Sequence, residues 1–367
     1  MERISIIQLF VLTAFFQIGT TIIFGFGNAA GRDAWIVTII STCLGLFVIG
    51  IYLTLMYFNP GLTLVEWFQS QLGKWIGTPI AWLYPMLSLY EMGRGLNDIK
   101  FLTTTLIMDE TPELAIIITF ILILTYSQKC GVEVLARVAE FVFPMFLMIF
   151  LIMIILIIGS DLLNGEQLKP VLENGWKPIW KVSFPLCASQ GFAQTLELAM
   201  IWPLVNSSNR NIVKATIWAT IFSGTVIFIT QLMLITGLNS FSYSYGNYPM
   251  FTLISKIELA GFIQHLDVIG ILFFIISTFM KVSLHMLFSI RAIQLLTKTK
   301  SNRKITIFVS ILAVYLGHSV SLNNQQHIKV AFDIFPYNLW LPLLWVLPIL
   351  LLIVTLINNT MMKEKST

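Results

Sequence analysis

Apolar runs of about 20 residues recur along nearly the whole chain, each long enough to cross a hydrocarbon core of about 30 Å as a helix. One of the longest, Val268 to Leu287, carries a lysine, Lys281, at its middle. Backbone polar groups in lipid have to be bonded within the structure, and these runs lack the dyad alternation of a barrel strand, so they read as helices. Of 367 residues only 11% are charged, against about 25% in an ordinary soluble domain. The chain is predicted to be an all-α membrane protein, a single integral domain over residues 1–367, with no hydrophilic stretch long enough for a second.

Ten segments can be marked, at about 5–27, 35–58, 79–107, 113–127, 134–159, 181–205, 212–237, 265–296, 305–322 and 337–358. Met1-Glu2-Arg3 runs directly into the first without a small-residue cleavage pattern, which predicts a first span rather than a removable signal. With both termini cytoplasmic, 13 of the 22 lysines and arginines fall on the inside, 6 outside and 3 within spans. That asymmetry is what the positive-inside rule requires of ten spans. Between Pro60 and Pro79, Leu64, Trp67, Phe68, Leu72 and Trp75 recur at roughly helical spacing among polar residues, predicting an interfacial amphipathic helix. Ser160 to Trp180 reads as a long polar outside loop, and Tyr248 to Ile263 as a half-apolar one.

A lysine at bilayer mid-depth costs about 2.5–3.5 kcal/mol on insertion scales, so it is kept where it faces a polar cavity, a carboxylate or a substrate path. Glu91, Arg94 and Glu197 lie in other apolar segments and raise the same question. Glu91, Arg94 and Asp98 are spaced i, i+3 and i+4, so two readings stand: an ion ladder along one helix, or Arg94 and Glu91 facing a cavity. His285 lies one helical turn from Lys281. Lys281 reads either as a group that titrates and couples binding to protons, or as a permanently charged pin, with Glu197 as its candidate counter-charge.

Two segments are interrupted. In the first, Gly19-Thr20-Thr21 and then Gly25-Phe26-Gly27-Asn28 weaken the helix, at about 1 kcal/mol per glycine relative to alanine. In the sixth, Pro185 is followed by Ser189-Gln190-Gly191, with Glu197 and Pro203 beyond. Small residues also serve close helix packing, which is the plainer reading of each break alone. Taken as two five-helix halves, about 5–159 and 181–358, the chain has its breaks at matching positions, the sequence sign of a transporter-type site.

Chemistry of other kinds has little to stand on. The three cysteines, Cys43, Cys130 and Cys187, lack framework spacing and read as small core residues, with no metal or disulfide implied. His265, His318 and His327 are scattered without metal-ligand spacing. No phosphate loop, nucleophile elbow or zinc motif is found, so no cofactor, metal, catalytic residue or enzyme activity is predicted. The basic run Lys298 to Lys304 reads as a membrane anchor, and no nucleic acid partner is implied.

The order of several short motifs resembles the B subunits of bacterial spore germinant receptors, the spore germination permeases of the amino acid–polyamine–organocation superfamily. They include Gln17-Ile18-Gly19-Thr20, Ala30-Gly31-Arg32-Asp33-Ala34-Trp35, Leu72-Gly73-Lys74-Trp75-Ile76-Gly77, Gly131-Val132-Glu133-Val134-Leu135-Ala136-Arg137, Leu168-Lys169-Pro170-Val171-Leu172 and Phe279-Met280-Lys281-Val282-Ser283. The resemblance covers about residues 4 to 358. It implies ten helices in a five-plus-five inverted-repeat transporter fold, with helices one and six broken at a midplane site. It also implies residence in the inner membrane of the spore, beside receptor A and C subunits. By position it implies a ligand site at Gly19, Thr20, Thr21 and Gly25, at Ser189, Gln190, Gly191 and Phe192, and at Glu197, Arg94 and Lys281. Gln194 and Thr195, just before Glu197, imply a pocket more polar than in some members.

The function expected is a nutrient-sensing, transporter-like subunit that binds a small germinant, an amino acid in the first instance, and signals to its partners. A proton-coupled amino-acid transporter is the alternative.

Overall fold

The computed structural model describes residues 3–25, 27–106, 110–257, 267–299 and 301–364. Met1 and Glu2, Phe26, His265, Lys300, Lys365, the end of the third segment at 107, the latter part of the 248–263 loop and the expected start of the eighth span at 265 lie outside the described residues.

The first helix, α1 (Ile6–Ile18), opens on a reciprocal cap. Ser5 Oγ accepts from the Gln8 N–H at 3.1 Å, and the Gln8 side chain accepts from the Ser5 N–H at 2.9 Å. At Gly19 the backbone leaves the helical region (φ 29, ψ −124), and α2 (Thr21–Phe24) resumes until Gly25 ends it in the left-handed region. A 3-10 turn over Asn28–Asp33 then leads into α3 (Ala34–Phe58). The break expected around Gly19 to Gly25 is therefore present, and a Cβ at Gly19 would also stand 2.5 Å from Lys281 Cδ.

Next, α4 (Leu64–Leu106) folds back on itself at Gly73, whose φ of 74 is open to glycine and strained for any other residue. The amphipathic helix expected between Pro60 and Pro79 ends at that kink, with Trp67 and Phe68 buried beneath it. Helix resumes at once, so Pro79 lies inside the third span and the expected start at 79 is several residues late. Trp75, 94% exposed at the turn, has the amphipathic ring that favours a membrane interface. The turn is so tight that a Cβ on Gly77 would fall on the Phe68 carbonyl oxygen. Gly77→Val is expected to destabilise the fold by about 1–3 kcal/mol, seen as an earlier melt of the detergent-purified protein, whereas Trp75→Ala leaves the melt unchanged.

The chain continues through α5 (Glu113–Lys129) and α6 (Val132–Gly159) to the sixth segment. There α7 (Trp176–Lys181) passes into a π-helical turn over Val182–Cys187 in which Phe184 is extended, and then into α8 (Ala188–Gly191). A second departure at Phe192 precedes a 3-10 stretch over Ala193–Met200. The interruption expected at Pro185 to Gly191 is thus real and double. After it come α9 (Asn209–Gly237), α10 (Ser240–Tyr245), α11 (Pro249–Ile254), α12 (Asp267–Thr297) and α13 (Asn302–Ser319). The tenth span was expected from 337; helix in fact restarts at α14 (Asn324–Lys329) and runs on through π-helical turns to α15 (Leu347–Glu364). Between Asn302–Ser319 and Asn324–Ile334 the direction changes by 107°.

Among the described residues six helices are long and apolar enough to cross a membrane, and the bent pair after α12 makes a seventh candidate. The other marked segments miss that length-and-composition test for visible reasons. The part of α4 after Gly73 carries Glu91, Arg94, Asp98 and Lys100, α5 has only 17 residues, and the sixth segment is split. The apolar window of the first span is 78% buried and that of α12 72%, against 28% for α6, so the first two form the centre and α6 faces lipid. At one end of the bundle the two interrupted segments are joined: the Ile4 N–H donates to the Leu204 carbonyl at 3.1 Å and the Asn206 N–H to the Ile4 carbonyl at 2.9 Å.

Candidate functional site

Helices α4 and α12, the 3-10 stretch over Ala193–Met200 and the bent segment bring their charged groups to one place. Helix α12 packs along α4 and touches α1, which lays the Lys281 stem over the open face of Gly19. The Lys281 ammonium is buried, lies 5.7 Å from the Phe16 ring centroid, and has no hydrogen-bond partner among the described residues. Glu91, Asp98 and Glu197 are the carboxylates whose charge reaches it.

The ion ladder along α4 does not form. Glu91 accepts from the Trp340 indole N–H at 2.5 Å. Asp98 pairs with His327 Nε2 at 2.6 Å, and Arg94 Nη2 donates to the His327 carbonyl at 3.1 Å. Arg94 also lies over the Phe335 ring at 5.1 Å, while its Nη1 is buried and has no hydrogen-bond partner among the described residues. Each partner comes from beyond residue 326, because the bend before α14 turns that stretch inward across α4. Glu197 likewise pairs elsewhere than expected: its Oε2 takes Ser88 Oγ at 2.6 Å and His285 Nδ1 at 3.0 Å, not the lysine.

These groups enclose a cavity lined by Thr20, Phe24, Glu91, Arg94, Gly95, Asp98, Gln190, Lys281, Val282, His285, His327, Ile328, Ala331, Phe332 and Trp340. It measures about 30 Å³ to a water-sized body, room for one or two waters, so anything as large as an amino acid enters only if the walls part. Chemically, the cavity offers two unpaired cationic donors, on Lys281 and Arg94, to an anion, and Glu91 and Asp98 to a cation. Its apolar wall is Phe24, Val282, Ile328 and Phe332.

Of the residues marked from the sequence, Thr20, Arg94, Gln190 and Lys281 line this cavity, and Gly19 supports it through the lysine stem. Glu197 stands one layer behind His285. Thr21, Gly191 and Phe192 face a separate small cleft with Ser41 and Gln231. Ser189 accepts from the Trp345 indole at 2.9 Å, and Gly25 packs on Pro249. Among the polar lining residues, His327 and Trp340 are the two that the sequence leaves unmarked. His327 looked like one of several scattered histidines; the only local signal was Ser321, whose Oγ lies 3.1 Å from its Nδ1.

Comparison with known proteins agrees with this architecture. The chain is 28% identical over 352 residues to Spore germination protein KB of Bacillus subtilis (strain 168), covering 96% of this chain and 94% of that one. Its fold matches that of Mhp1, a nucleobase-cation-symport-1 family transporter in a closed conformation with bromovinylhydantoin bound (TM-score 0.65, 14% identity, 89% of this chain and 74% of that one). It also matches MhsT in complex with L-phenylalanine (TM-score 0.63, 16% identity, 97% and 99%). The expected transporter fold is thereby observed. Residues 3–326 match the family described as spore germination proteins, the spore permeases, and the chain belongs to that family.

Proposed function

We propose that this chain is the nutrient-sensing subunit of a spore germinant receptor, in which a small zwitterion such as an amino acid binds beside Lys281 and Arg94. The observation that carries the reading is the pair of buried cationic donors, Lys281 Nζ and Arg94 Nη1, without hydrogen-bond partners among the described residues and on one cavity. An unpaired buried donor on a charged group is expensive, and a ligand carboxylate placed between the two satisfies both. The ligand ammonium then meets Glu91 or Asp98. L-phenylalanine in MhsT, a protein of the same fold, supports a ligand of this class. The reading includes ten spans, in inverted-repeat halves of about 5–159 and 181–358, with both termini cytoplasmic in the inner membrane of the spore. Receptor A and C subunits are the partners.

A cavity this tight in one conformation and open in another is what a sensor requires, since a ligand shifts an equilibrium only by binding the two states with different affinity. The test is direct binding of the common amino acids to the purified chain in lipid nanodiscs. At least one is expected to saturate the site, and Arg94→Gln is expected to weaken it by about tenfold or more, the worth of a charged hydrogen bond. A folded protein that binds none of them, or binds one equally well without Arg94, rejects the reading. The alternative, a proton-coupled amino-acid transporter, is favoured by the two imidazole–carboxylate pairs on the cavity. Accumulation of the bound amino acid inside proteoliposomes distinguishes it.

A further inference from the structure

The cavity charges do not balance. With both imidazoles neutral, the cations Arg94 and Lys281 face the three carboxylates Glu91, Asp98 and Glu197, leaving one negative charge in excess. A zwitterion entering the cavity changes nothing in that sum. Uncompensated charge in a site closed off from water is strongly unfavourable, so closure around a ligand favours the gain of one proton by the cluster.

We propose that the His285–Glu197 pair is a proton-binding site and takes up that proton as the cavity closes. This inference rests on the cavity being the ligand site. Three observations single the pair out. Glu197 is 1% exposed and its Oε1 has no donor among the described residues, so its charge is only half satisfied by Ser88 and His285. His285 is 2% exposed and its ring lines the cavity, packed on Phe16 at 4.9 Å between centroids. With Nδ1 committed to Glu197 at 3.0 Å, a proton drawn from bulk water lands on Nε2 and converts imidazole to imidazolium, bringing the cluster to neutrality.

The other imidazole is less suited. His327 Nε2 already lies 2.6 Å from Asp98, but 3.4 Å from Arg94 Nη2 as well, and that guanidinium opposes a second positive charge. The charged and titratable groups facing the His285–Glu197 pair are Lys281 from its own helix, Glu91, Arg94 and Asp98 from α4, and His327 from the bent segment; α1 contributes none. Lys281 is counted as a cation in that sum, and the His285→Gln variant separates uptake by the histidine from uptake by the amine.

The first arm of the test needs no ligand. In the full chain in lipid nanodiscs with isotope-labelled histidine, the His285 ring is expected to gain a proton as the pH is lowered across the range in which the protein stays folded, as read by nitrogen shifts assigned against His285→Gln. Glu197→Gln, which removes the countercharge, is expected to move that transition to lower pH. In the second arm a mixture of the common amino acids is added to weakly buffered protein with an indicator dye. Uptake of about one proton per chain is expected in the wild type and loss of that uptake in His285→Gln. A wild-type His285 that holds one protonation state across the range overturns the proposal whether or not the variants fold. Proton uptake unchanged in a folded His285→Gln overturns it too. A titrating His285 with no response to the amino-acid mixture upholds the proton site and instead rejects the ligand reading.

Discussion

Replacing Lys281 with methionine is expected to lower the stability of the protein and to weaken ligand binding. The side chain is buried, and its ammonium, without a hydrogen-bond partner among the described residues, is one of two cations set against the carboxylates of Glu91, Asp98 and Glu197. Methionine keeps the unbranched stem that lies over Gly19 and adapts to its surroundings, so packing changes little. The charge does change: Arg94 is left alone against the three carboxylates, and taking one partner out of a buried ionic group costs about 3–5 kcal/mol. The melt of the purified chain is therefore expected to fall by several degrees, and affinity for the bound amino acid by about tenfold or more. Lys281→Arg, which restores the charge, is expected to recover much of the melt. A melt that is unchanged or rises in Lys281→Met overturns this charge count, and unchanged affinity removes Lys281 from the ligand site.

The second large effect is expected at Gly19. An alanine there meets two separate obstacles: a backbone at φ 29, ψ −124, and the Lys281 Cδ 2.5 Å from the new Cβ. Strained backbone costs of order 1–3 kcal/mol, and overpacking about 1–3 kcal/mol more. Gly19→Ala is thus expected to destabilise by about 2–6 kcal/mol, with a matching loss of yield and an earlier melt. In a Lys281→Ala background the steric part is absent, so Gly19→Ala is expected to lower the melt by less there than in the wild type, non-additive in the way contacting residues are. No effect of Gly19→Ala in that background implies that the backbone at Gly19 carries no strain, and an undiminished effect that the lysine stem does not press there.

The places where the sequence was readable are those where a local signal carries the information. Glycine and hydroxyl residues at 19–21 and proline at 185 weaken a helix whatever surrounds them, so both breaks were visible in advance, as were the long apolar helices. The fold-back at Gly73 is half visible: the amphipathic spacing is present in the sequence, but Pro79, which reads as a boundary, lies within the span. The partners in the site were not readable at all. Glu91, Arg94 and Asp98 have the spacing of an intrahelical ladder, and nothing in that spacing reveals that Trp340 and His327, more than 200 positions away in the chain, supply better partners. His327 reaches α4 only because the chain turns by 107° after α13, a tertiary fact without a local signature. The counter-charge expected for Lys281, Glu197, is near it but already engaged by Ser88 and His285.

The short parallel bridge at Ile4 and Val205 has a mechanical corollary. It clips the root of the first span to the tail of the sixth, and Arg3 adds a link from its Nη1 to Asn206 Oδ1 at 3.4 Å. Hinging at either discontinuity therefore cannot swing one root alone; the clipped ends travel as one lever, or the clip itself has to open first.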